Sequence, residues 1–385
     1  MEEWVFLLLP VAAASGWLAA QRHYARKYLI EHTHSLRKAY CRGLNYLLSE
    51  KTDKAIEAFA DLLTNDFETV ETHIALGNLF RRRGEIENAI EIHENLIGRD
   101  DLNPQQQESA QFELGLDYLR AGLFDRAESI FQNLVDHENT QMGALQQLLD
   151  IYQHEKEWGK AMECTRQLHE LGKPSRRGET VAHFLCELAE ETLCTDDDLS
   201  ARRWLDDALR EDPRCVRASL LMAKLEMREG RFEEALQSLK RVESQNSAII
   251  PEIIEPLRIC HDRLEKPAGE LLGYLGYLYE TYGFESAALG LAVRIRSEQG
   301  AGKAIEHMLR VLEAQPTLKS LNTLTGFLLE EGPETQRESL VRLDRALDRL
   351  YSNTPRYTCT HCGFSGSELH WRCPSCRYWE STKPS

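Results

Sequence analysis

Apolar residues recur along most of this chain at the three- and four-residue spacing of one helix face, and the helices themselves recur. Small residues that open every second helix fall into register at Ala55, Ala89, Ala127, Ala161, Ala201, Ala235 and, more loosely, Ala304. Three of the intervals (55–89, 127–161 and 201–235) are 34 residues long. Twelve residues before these alanines stand Gly43, Gly77, Gly115, Leu149, Ala189 and Ala223, mostly small groups suited to a close helix crossing. Tyr46, Phe80, Tyr118 and Tyr152 follow three residues on, and Phe59, Phe131, Leu205 and Leu239 lie four after the alanine. Gly84, Gly122 and Gly230 share one turn position, where glycine ends a helix in a left-handed conformation without a β-carbon penalty.

Helix pairs repeating every 34 residues are the signature of the tetratricopeptide repeat. The predicted fold class is therefore all-α, a tetratricopeptide-repeat superhelical solenoid over 35–351 with about 8–9 units. The register strains at Gly172 to Gly178, and again from Ile249 to Pro267, where three prolines interrupt a unit and helical packing resumes by Leu271. A final helical pair, Leu318 to Tyr351, is expected to cap the stack. Such stacks carry a concave groove lined by the first helix of each unit. Asn78, Arg81, Asp117, Arg120 and Gln153 are the residues expected to project into it; taken singly, each also reads as an ordinary solvated surface residue.

The opposite pattern, unbroken apolarity, opens the chain. Trp4 to Ala20 is an uncharged run of 17 residues, about 25 Å as a helix and within the range of membrane spans. A cleaved signal peptide is the competing reading, but Glu2 and Glu3 stand where such a peptide carries lysine or arginine. Arg22, Arg26, Lys27, Arg37, Lys38 and Arg42 follow, against Glu31 alone. Positive-inside then expects residues 1–20 to be an uncleaved transmembrane anchor, 21–34 a basic juxtamembrane linker, and the body to face the cytoplasm.

Charge and cysteine usage narrow the chemistry. A formal charge of −16 across 385 residues argues against a nucleic-acid partner, since phosphate binding needs a cationic surface. Of ten cysteines, four form two C-x-x-C pairs, Cys359/Cys362 and Cys373/Cys376, separated by ten residues in the segment 352–385. Two such turns bring four thiolates to one ion, a tetrahedral site for zinc or iron; its closed, structural character favours zinc. Gly363 suits the turn after the first pair, whereas Arg377 takes that place in the second. Tyr357, Phe364, Trp371, Tyr378 and Trp379 are expected to supply the module's small core. His361 reads as a surface residue, and Cys41, Cys164, Cys186, Cys194, Cys215 and Cys260 as small core fillers. Gly300-Ala-Gly302-Lys303 lacks the earlier glycine and the following hydroxyl of a phosphate loop and reads as an inter-helix turn. With neither H-E-x-x-H nor G-x-S-x-G present, the expectation is a binding protein, with no catalytic residue and no enzyme activity.

Taken together, the F-L-L-L-P-V-A-A-A-S-G-W run, L-G-N-L-F-R-R-R-G-E, G-A-L-Q-Q-L-L, and Y-T-C-T-H-C-G-F with W-R-C-P-S-C resemble the lipopolysaccharide assembly protein B (LapB/YciM) family of Gram-negative bacteria. The resemblance spans the chain and implies an inner-membrane protein with repeats followed by a rubredoxin-like domain packed against them. It further implies an adaptor that helps the protease FtsH degrade the deacetylase LpxC, restrained by YejM (PbgA), with other lipopolysaccharide assembly proteins as partners. The metal role falls on Cys359, Cys362, Cys373 and Cys376, and no catalytic residue carries over. Two other readings stay open: a structural platform for lipopolysaccharide synthesis and export complexes with no role in proteolysis, and an electron carrier with iron in the ribbon.

Overall fold

The protein, seen here in a computed structural model, is described over residues 52–63, 69–172, 177–331, 334–352 and 354–384, together with residues 17, 20, 21, 45 and 46. It divides into two compact units between Lys173 and Pro174. The expected anchor and basic linker lie outside the described residues except at positions 17, 20 and 21, as does Cys41. Among the described residues no helix is long and apolar enough to cross a membrane.

The first unit is a succession of antiparallel helices: α1 (Thr52–Leu63), α2 (Val70–Arg83), α3 (Ile86–Ile97), α4 (Pro104–Ala121), α5 (Phe124–Leu134), α6 (Gln141–Glu155) and α7 (Trp158–Glu170). Helix α4 shows how the sequence sets an element. Asn103 and Gln106 form a reciprocal capping box, Pro104 occupies the first helical position, and Gly122 closes the helix at φ 76°. The same turn is left-handed after α2, at Gly84, and after α6, where Lys156 adopts φ 61°.

Every register alanine is fully buried in its unit, from Ala55 to Ala304. The crossing at Gly115 admits not even a methyl group: a β-carbon there would meet the Phe131 ring at 2.7 Å. Gly115→Ala is therefore expected to lower stability by about 1–3 kcal/mol, read as a shifted urea midpoint, because Phe131 is fully enclosed and has no free space to enter.

The second unit begins with α8 (Arg177–Cys194) and α9 (Asp198–Glu211), then α10 (Val216–Arg228) and α11 (Phe232–Gln245). Here too the repeat turn is left-handed, at Asp196 and Gly230. A 3-10 helix, Ser247–Glu252, precedes α12 (Ile254–Arg263), followed by α13 (Ala268–Tyr282), α14 (Glu285–Gln299), α15 (Ala301–Ala314), α16 (Leu318–Glu331) and α17 (Glu334–Ser352). Helical structure resumes within the proline-rich stretch itself, at Ile254, ahead of the Leu271 by which it was expected. Pro256 sits in the first turn of α12, where an amide proton has no helical partner to lose. Ile249, Ile250 and Ile253 enter the core with Leu239, Leu257 and Leu275. Gly300, at φ 91°, separates α14 from α15 and alone makes the turn; Ala301, Gly302 and Lys303 belong to the first turn of α15, so the lysine-containing segment is a helix start and not wholly an inter-helix turn.

The chain closes with three short antiparallel strands, β1 (Tyr357–Cys359), β2 (Ser365–Gly366) and β3 (Thr382–Pro384), in the order β2-β1-β3. Strand β3 lies against the 3-10 helix of the same unit.

Candidate metal centre

Two turns of the same construction hold the four cysteines. In the first, Gly363 N–H donates to Cys359 O at 2.9 Å and Cys359 N–H to Phe364 O at 2.7 Å. In the second, Arg377 N–H donates to Cys373 O at 2.8 Å and Cys373 N–H to Tyr378 O at 2.9 Å. Both turns need a left-handed residue after the second cysteine: Gly363 has φ 77° and Arg377 has φ 60°. The second turn is therefore formed as fully as the first, against the strain in Arg377. Arg377→Gly should relieve that strain by about 0.5–1 kcal/mol, tightening metal retention roughly three-fold in competition with a chelator.

The four sulfurs lie within 4.8 Å of one another. Cys359 Sγ is 3.7 Å from Cys376 Sγ, and Cys362 Sγ is 3.7 Å from Cys373 Sγ. A tetrahedron with metal–sulfur bonds of about 2.3 Å has edges of about 3.8 Å, so the thiols fit one zinc or iron ion. All four are free of disulfides. The Ser381 hydroxyl beside Cys359 holds that thiol down to about 6, and the Phe364 N–H lowers Cys362. Withdrawal from water pushes Cys376 up to about 12. A bound cation would take all four as thiolates, releasing their protons. His361 stays outside this set, exposed and stacked on Tyr378 with ring centroids 3.8 Å apart.

The ribbon's aromatic residues do not all form its own core. Trp379 stacks on His183 of α8 at 4.6 Å and 12°, with its edge toward Phe184, and Trp371 packs on the isoleucine and leucine cluster of the repeats. Tyr357 donates its hydroxyl proton to Glu252 of the 3-10 helix at 2.7 Å. Metal ligation and helix packing thus share the work of folding so short a module.

The residues expected to line a groove have different fates. In the first unit, Arg81 reaches from α2 to Asp117 of α4 at 2.8 Å, to Glu113 at 2.6 Å and to Asn78 at 2.6 Å. Asp117 is fully buried and also accepts from His93 Nδ1 at 2.5 Å. Gln153 is buried as well, while Arg120 is exposed. Asp117 and Gln153 therefore face inward, a correction with a clear physical reason. A carboxylate between two cationic or polar partners satisfies its hydrogen bonds inside the stack, and neither His93 nor Arg81 is adjacent to it in sequence.

A family model for the rubredoxin metal binding domain matches residues 357–384. Tetratricopeptide-repeat models match 72–105 and 199–248. Lipopolysaccharide assembly protein B of Escherichia coli K12 is 40% identical over 385 residues, covering 100% of this chain and 98% of that protein. The protein of the same name from Haemophilus influenzae is 36% identical over 397 residues, again covering 100% and 98%. Repeats, ribbon and similarity run together from end to end, and the chain belongs to the lipopolysaccharide assembly protein B family.

Proposed function

We propose that this protein is an inner-membrane adaptor in lipopolysaccharide assembly, presenting the deacetylase LpxC to the protease FtsH and answering to YejM (PbgA). The full-length kinship to proteins named for lipopolysaccharide assembly carries this reading. Helical repeats support it because they offer extended surfaces for protein ligands. The uncharged run from Trp4 to Ala20 and the basic residues after it favour a single anchor with the body on the cytoplasmic side. Anchoring raises the local concentration of partners confined to the same membrane, so modest contacts suffice. The protein then acts by binding, with the metal in a structural part.

Depleting the protein and following LpxC by pulse-chase tests the proposal; LpxC should persist several-fold longer. Unchanged turnover would sink it, and would favour a platform for synthesis and export complexes. Crosslinking in cells from exposed Arg120 distinguishes the two, capturing LpxC or FtsH in one case and export proteins in the other. Removing the first 20 residues should abolish the effect on turnover.

A further inference from the structure

We propose that His183, Cys215 and Glu380 form a second site for a divalent transition metal of the zinc class, tying the ribbon to helices α8 and α10. Each ligand comes from a different element. His183 lies within α8, Cys215 is the residue immediately before α10, and Glu380 belongs to the ribbon. One donor atom from each, an imidazole nitrogen, a thiol sulfur and a carboxylate oxygen, lies within 4.8 Å of the other two.

The spacing suits a cation better than a hydrogen bond. His183 Nε2 is 3.3 Å from a Glu380 oxygen, beyond the usual N–H···O separation of about 2.9–3.0 Å. Nitrogen and oxygen ligands each about 2.0–2.1 Å from a tetrahedral ion stand about 3.3–3.4 Å apart. The other ring nitrogen, Nδ1, is buried and has no hydrogen-bond partner, so no strong hydrogen bond holds the imidazole in place of an ion. Stacking on Trp379 sets the plane of the ring instead.

Charge and strain point the same way. His183 is 2% exposed and Cys215 1%, so a net charge held there would be expensive. One thiolate, one carboxylate and a neutral imidazole balance a dication. Glu380 adopts φ 51°, a left-handed conformation that a glutamate takes only against strain. Its backbone is fixed by the bond from Glu380 N–H to Trp371 O at 2.8 Å. The buried thiol of Cys186, 3.9 Å from Cys215 Sγ, borders the site.

Metal content of the full chain, purified in detergent and titrated with Zn²⁺, tests the assignment. Wild type should hold two equivalents, and Cys215→Ser and Glu380→Gln one each. Loading Glu380→Gln with Co²⁺ should leave the absorption of the four-thiolate site unchanged, showing that the ribbon is still folded. A wild-type protein that takes up only one equivalent would overturn the proposal, as would two equivalents retained in both variants. A Cys186–Cys215 disulfide in the purified reduced-cytoplasm protein would do so too, because it removes the sulfur ligand.

Discussion

Cys373→Ser should release the ribbon's ion and unfold residues 357–384 while leaving the helices standing. Cys373 is buried, and its sulfur forms one edge of the tetrahedron with Cys362. A serine hydroxyl at that place offers no thiolate. Binding of a structural zinc ion is worth on the order of 10 kcal/mol or more, and in a module this short that energy is folding energy. Packing of Trp371 and Trp379 on the helices cannot replace it, since both side chains are positioned by the turns that the ion closes. The measurements are metal content per chain, a red shift of tryptophan emission and nearly constant helical ellipticity. Undiminished metal content would show that the ligand set is wrong.

Asp117→Ala should destabilise the first unit by about 3–5 kcal/mol, the usual result of removing one member of a buried charged pair. Its carboxylate is fully enclosed and is shared between Arg81 and His93, so alanine strands both partners. Arg120→Ala, three residues away and exposed, should stay within about 0.5 kcal/mol. Urea unfolding followed by ellipticity separates the two. Equal midpoints would mean that Asp117 has no structural part and would return it to the groove.

The contrast between these two residues marks what the sequence makes legible. A 34-residue period fixes which positions meet, and two C-x-x-C turns bring four sulfurs together, so the seven register alanines, the glycine turns and the cysteine cluster are legible in the sequence. Periodicity does not report the partner of a charged residue. Asp117 looked solvated because its two partners lie 24 and 36 residues away on other helices. The turns at Lys156 and Asp196 carry no such mark in the sequence, since neither residue is the glycine that signals a left-handed conformation. Trp371 and Trp379 read as part of the ribbon's own core because a sequence shows how apolar a module is, and not the surface it meets.

The bond from Tyr357 to Glu252 joins residues 105 positions apart. At about 5–20 residues per second of synthesis, a ribosome needs roughly 5–20 s to travel between them. Throughout that interval the 3-10 helix has been synthesised and its covering strand has not. Docking of the ribbon on the 3-10 helix accordingly waits for the synthesis of Thr382–Pro384, and until then the ribbon leaves that surface bare.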